Sequence, residues 1–99
     1  MTVSKGRDGK KLTIAIEGRL DTMTSPDFEK ALIPELNGIE TLVFDLRDLA
    51  YISSAGLRVM VQAAQIMDEQ DGEIKTLGAN KNVKNIFSIT GLIDALGVE

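Results

Sequence analysis

The sequence predicts an α/β domain built on one mixed β-sheet of about four to five strands. An N-terminal hairpin opens the sheet, and about three to four helices pack against it. Three observations carry this. Leu12, Ile14 and Ile16 alternate with Thr13, Ala15 and Glu17, the pattern of a half-buried strand. Leu42, Val43 and Phe44 are consecutive apolar residues, the mark of a strand buried on both faces, as in a parallel sheet. Past the hairpin, strand patterns alternate with helical ones, so parallel strands joined by right-handed crossovers are expected. The 99 residues form a single domain, 1–99, with a modest core.

The elements follow in order. Arg7-Asp8-Gly9-Lys10 is turn material, so Thr2 to Lys5 is read as the other arm of a hairpin with Lys11 to Glu17. Gly18 to Asp21 carries the chain out of the strand. Thr24-Ser25-Pro26 places a hydroxyl cap before a proline in the first helical turn, with Phe28, Ala31 and Leu32 on one face. Pro34 ends or kinks that helix, and Asn37-Gly38 closes the connection to the strand Thr41 to Leu46. Ser53 to Gly56 opens a helix running to about Glu69, and Asp71-Gly72 turns the chain into a strand from Glu73 to Leu77. Val83, Ile86 and Phe87 form the stripe of a further helix with Gly91 as its C-terminal cap. Leu92 to Leu96 is read as a last short helix.

Composition removes several chemistries. The chain has no cysteine and no histidine, which excludes disulfides, thiolate and imidazole catalysis and most zinc sites. With 11 Lys and Arg against 15 Asp and Glu, the net charge is −4, which argues against a nucleic-acid backbone as partner. Basic residues gather at Lys5, Arg7, Lys10 and Lys11 and at Lys81 and Lys84 among turn residues, and read as solvated loop charge. There is no apolar run of membrane-spanning length and no signal-peptide pattern, so a cytoplasmic protein without a membrane partner is expected. No Gly-x-Ser-x-Gly elbow and no phosphate loop is present. Neither catalytic residues, cofactor nor metal are expected.

The helix after Ser54 carries the functional information. Arg58, Gln62, Gln65 and Glu69 gather in a polar stripe, and Leu57, Met60, Val61, Ala64 and Met67 form an apolar face. Val59, Ala63 and Ile66 extend that face well beyond the arc that docking on one sheet needs. Either the helix is central, covered by the sheet below and a helix beside it, or Val59, Ala63 and Ile66 face a protein partner. At its start, a phosphate on a serine hydroxyl would meet free backbone N–H groups and the positive end of the helix. The plainer role of Ser53 or Ser54 is to cap the helix.

Glu17-Gly18-Arg19-Leu20-Asp21, Leu42-Val43-Phe44-Asp45-Leu46, Tyr51-Ile52-Ser53-Ser54-Ala55-Gly56-Leu57 and Thr90-Gly91-Leu92 together resemble the STAS-domain family, and within it the bacterial anti-sigma factor antagonists. The resemblance spans essentially the whole chain and implies the STAS fold. It further implies that the unmodified protein binds a serine kinase that doubles as an anti-sigma factor, that the kinase inactivates it by phosphorylation, and that a PP2C-type phosphatase reverses this. In the family pattern Asp-Ser-Ser/Thr-Gly, the first hydroxyl residue is the acceptor. Here that register gives Ser54, with Ser53 as the alternative; Ser53 replaces the Asp and Ala55 the second hydroxyl residue. Asp21 matches a family acidic residue near the acceptor, for which docking of the kinase and capping of a turn are both open. The implied partner surface is Asp21, Thr22, Ser53, Ser54, Gly56, Leu57, Arg58, Val59, Gln62, Ala63 and Ile66, on a protein expected to be a monomer when free. The alternative is a STAS subunit of another machine, such as a lipid-transport ATPase or a signalling assembly, with the helix face as a constitutive interface.

Overall fold

A computed structural model describes all of residues 1–99. The strands are β1 (Thr2–Asp8), β2 (Lys11–Leu20), β3 (Thr41–Asp45), β4 (Leu49–Ile52) and β5 (Glu73–Leu77). The helices are α1 (Ser25–Leu32), which runs into a single 3-10 turn at Ile33–Glu35, α2 (Ser54–Glu69) and α3 (Lys81–Ile89). β1 and β2 pair antiparallel through a turn at Gly9, and β2, β3 and β5 pair in parallel, giving the order β1-β2-β3-β5. β4 takes up parallel pairing with β2 where β3 leaves off: Asp45 lies opposite Ala15, and Leu49 opposite Gly18.

The alternation read in β2 is realised, with Leu12, Ile14 and Ile16 buried and Thr13 and Ala15 half-buried. Leu42 and Phe44 join the same core, and the Phe28 ring of α1 meets the Phe44 ring at a centroid distance of 6.3 Å. Val43, on the opposite face, is also buried, between Thr13 and Lys75 of the neighbouring strands. The run of three apolar residues is therefore buried on both faces, as a parallel strand requires.

Four local expectations are corrected. First, β2 does not stop at Glu17 but runs to Leu20: the register shifts between Gly18 (φ +96°) and Arg19, Ala50 is the extra residue of a bulge in β4, and Leu49, Tyr51 and Ile52 continue the ladder. Second, β4 was not anticipated; its two buried residues, Leu49 and Ile52, flank exposed Ala50 and Tyr51, so no period-two signal exists. Third, Leu92 to Leu96 is a series of turns rather than a helix. A single helical bond, Leu96 N–H to Leu92 C=O at 3.0 Å, is followed at once by the shorter-range Gly97 to Asp94 bond. Five residues are too few to repay helix nucleation. Fourth, the basic residues are exposed as expected, but of them only Lys10 lies in a turn: Lys5 and Arg7 lie on β1, Lys11 on β2, and Lys81 and Lys84 on α3, with Lys5 paired to Glu35 at 3.2 Å and Lys10 to Glu40 at 3.5 Å.

Candidate functional site at the start of the central helix

β2 and β4 end side by side, which sets the site. Leu20 is opposite Ile52, and the Ser53 N–H donates to the Leu20 carbonyl at 2.8 Å. Asp21 and Ser53 therefore leave the sheet together, one into the turn before α1, the other into α2. Ser53 is still extended (φ −96°, ψ 173°), its carbonyl accepts the first helical bond from Leu57, and its Oγ accepts the Gly56 N–H at 3.3 Å. It is the helix cap. Ser54, the first helical residue, is exposed, and its hydroxyl makes no hydrogen bond within the chain. The two serines, of which the register of the resemblance favours Ser54, are thus divided between a structural task and a free hydroxyl.

Gly56 makes this geometry possible. A Cβ there would lie 2.7 Å from Leu20 Cγ and 3.1 Å from Ile52 Cγ1, so the first turn of α2 sits directly on the strand ends. Gly56 and Leu57 are accordingly buried and support the site from below.

Asp21 caps the entry to α1. Its Oδ1 accepts the N–H groups of Met23 and Thr24, each at 3.0 Å, while its own N–H donates to Thr24 Oγ1 at 2.9 Å. The pair forms a reciprocal capping arrangement, and the Asp21 carbonyl accepts the Ser25 N–H at 2.9 Å. The hydroxyl cap expected at Thr24-Ser25 is therefore corrected: these hydroxyls donate to the Arg19 and Asp21 carbonyls, and the carboxylate does the capping. The bond from the Thr24 N–H, ahead of the Thr24 hydroxyl, Met23 N–H and nearby Arg19, holds the Asp21 carboxyl below its ordinary 3.8. The second Asp21 oxygen faces Arg19 Nε at 3.9 Å, and the Arg19 guanidinium lies 4.3 Å from the centre of the Tyr51 ring, its cross-strand neighbour.

The outward face of α2 is narrower than expected. Val59 is 4% exposed and Ala63 0%; both belong to the hydrophobic core, so they do not face a partner. The reason is α1, which packs alongside α2 on the same side of the sheet. The wheel is turned toward α1, leaving Val61 and Ala64, expected in the core, only half-buried. Ile66 and Gln62 are half-buried, and Arg58 is exposed. What remains outside around Ser54 is Thr22, Arg58, Gln62 and the turn at Asp21. Thr22, Arg58 and Ala55 line a shallow groove of about 290 Å³ between α1 and α2, with Ser25, Pro26, Glu29 and Val59. A larger open hollow of about 540 Å³ lies against α3, lined by Lys81, Lys84 and neighbours, and includes none of these residues.

Two exposed side chains beside the site were missed from sequence. Met23, 85% exposed, stands on the hydrogen-bonded Asp21 turn, and its position between Asp21 and Ser25 was the available signal. Tyr51 gave none, since its partner Arg19 is known only once β4 is paired to β2. No group of three or more acidic side chains converges as a metal site would require, and no helix is long and apolar enough to cross a membrane.

The fold and these residues define a class: a small mixed-sheet domain that presents one unbonded serine at the start of its central helix. The chain belongs to the STAS domain family, whose model matches residues 2–99. Among curated proteins, it is 30% identical over 86 residues to the anti-sigma-B factor antagonist of Staphylococcus aureus strain NCTC 8325, covering 86% of this chain and 80% of that protein. Among solved structures, it is similar to the anti-sigma factor antagonist SpoIIAA in its unphosphorylated form, with TM-score 0.84, 14% identity, and coverage of 99% of this chain and 88% of that one. It is also similar to the phosphorylated form of SpoIIAA from Bacillus, with TM-score 0.76, 13% identity, and coverage of 99% and 91%. The chain adopts the STAS fold.

Proposed function

We propose that the chain is an anti-sigma factor antagonist: unmodified, it binds an anti-sigma factor that is also a serine kinase, and phosphorylation of Ser54 switches it off. The observation that carries this reading is the division of the two serines. Ser53 Oγ is committed to the Gly56 N–H, whereas the Ser54 hydroxyl is exposed and unbonded. The curated relatives that are anti-sigma-B factor antagonists support the partner class. In the transfer, Ser54 Oγ takes the terminal phosphoryl group of ATP, ADP leaves, and the hydroxyl proton passes to a base of the kinase. A PP2C-type phosphatase hydrolyses the ester and restores the hydroxyl.

The docking face is Ser54, Arg58 and Gln62 on α2 with Thr22, Met23 and the Asp21 turn beside them. A phosphate adds about −1.5 to −2 charge to this face. Buried against a partner without matching cations, that charge costs several kcal/mol. The protein need not refold for binding to be lost. A constitutive interface through Val59 and Ala63 is not available, because both are buried in the core.

The test is to incubate the protein with its cognate kinase and labelled ATP. Label enters Ser54 and is lost in Ser54→Ala, and a Ser54→Asp variant binds the kinase weakly. Label persisting in Ser54→Ala overturns the assignment, and tight binding by Ser54→Asp overturns the charge mechanism.

A further inference from the structure

Arg58 stands one helical turn beyond Ser54 on the solvent face of α2, and both residues are exposed. Every other arginine near the site has a partner: Arg19 approaches Asp21 and lies over Tyr51, and further off Arg47 is tied to Asp45 at 2.7 Å. Arg58 makes neither an ion pair nor a hydrogen bond, even though Glu29 lines the same groove. Residues at i and i+4 are neighbours on a helix, and an anion N-terminal to a cation is the favourable orientation.

We propose that Arg58 is the residue that receives the phosphate of modified Ser54. This rests on Ser54 being the acceptor and adds what happens to the phosphate once it is there. A guanidinium presents a planar fork that matches phosphate oxygens in a bidentate contact. Modification then removes two docking groups at once: the hydroxyl becomes a bulky anion, and the one unpaired guanidinium of the face is drawn back along the helix. The other charged groups of this face are the Asp21 carboxylate, which already faces Arg19, and the Glu29 carboxylate, which shares the groove with Arg58. None lies on α2. Arg58 is the cation that the helix itself places within reach.

The experiment uses the full chain with phosphoserine encoded at position 54, so no kinase is needed. The second ionisation of the phosphate is followed by phosphorus NMR against pH in the wild type, Arg58→Gln and Arg58→Lys. Pairing holds that ionisation below its ordinary value near 6. Removing the guanidinium raises it by about 0.3 pH unit, and Lys restores part of the shift. The difference shrinks at about 1 M salt, as an exposed ion pair requires. Equal titration of wild type and Arg58→Gln overturns the proposal while leaving Ser54 as the acceptor. Absence of label at Ser54 in the kinase assay overturns the acceptor assignment instead. Arg58 is exposed, and equal thermal midpoints of the unmodified variants confirm that the comparison is between folded proteins.

Discussion

Replacing each serine at the start of α2 by alanine separates the structural hydroxyl from the free one. In Ser53→Ala the Gly56 N–H loses its acceptor, and one of the orphan donors of the helix N-terminus is left to water. Loss of such a cap costs about 0.5–2 kcal/mol. The observed 3.3 Å separation is at the long end for an N–H···O bond, which places the cost near 0.5–1 kcal/mol. For a domain of this size that lowers the thermal midpoint by roughly 2–8 °C. Ser54→Ala removes no bond and substitutes a good helix former on an exposed position, so its effect stays within about 0.5 kcal/mol. Calorimetry or urea unfolding of the three proteins reads the difference, and the kinase assay reads the opposite pattern, with label retained in Ser53→Ala and absent in Ser54→Ala. A Ser53→Ala protein as stable as the wild type would falsify the division of roles. So would equal destabilisation by the two substitutions.

Three further expectations follow from the same geometry. Gly56→Ala drives a methyl to 2.7 Å from Leu20 Cγ; overpacking of about 1–3 kcal/mol outweighs the gain of roughly 1 kcal/mol from alanine in a helix, and the urea midpoint falls. A midpoint at or above wild type contradicts the close approach of α2 to the strand ends. Gln70→Ala removes the amide that donates to the Leu36 and Ile39 carbonyls at 2.7 and 2.9 Å; Leu36 keeps the Ile39 N–H at 3.1 Å, and the Ile39 carbonyl is left unmet at a cost of about 1–3 kcal/mol; unchanged unfolding would refute that tie. For Asp21, the folded carboxyl ionises below its ordinary 3.8, so its contribution to the turn is fully present above that value and is lost as pH falls through the lower, folded one. The Met23 and Thr24 amide resonances, followed from pH 6 downward, should keep their positions until below 3.8; a transition at or above 3.8 would show that the carboxylate does not hold the turn.

The sequence exposed those elements whose residues report their own surroundings. Leu12, Ile14 and Ile16 alternate because one face of β2 meets the core, and Leu42 to Phe44 are apolar without a break because β3 is covered on both faces. Gly91 was legible as a helix stop because it adopts φ +73°. The Gly91 and Leu92 N–H groups then close back onto the Ser88 and Phe87 carbonyls at 3.1 and 2.8 Å. Features that depend on a second element were not legible. Whether Val59 and Ala63 face water or α1 is decided by where an eight-residue helix lies, which the helical wheel of α2 does not contain. β4 is four residues paired to β2 with a bulge at Ala50, and the cap of α1 is a carboxylate three residues before the hydroxyl that looks like one. The register of the resemblance put the acceptor at Ser54, but only the hydrogen bond of Ser53 gives that choice a physical basis.

That bond also bears on how a switch can act on so small a domain. If the proposed phosphorylation fell on the cap serine, it would disturb the acceptor of the Gly56 N–H and with it the packing of α2 on Leu20 and Ile52. With the cap assigned to Ser53, the first turn keeps its bond whatever happens to Ser54. A negative charge on the first helical residue lies near the positive end of the helix dipole and favours the fold by about 0.3–1 kcal/mol. On the proposed reading, modification of Ser54 is then nearly neutral or mildly stabilising for the domain, yet costly by several kcal/mol at a desolvated interface. The two energies act on different equilibria, one internal and one between molecules. The direction of the first is therefore a check on the second: a phosphorylated protein that melts below the unmodified one is not switching by surface charge alone.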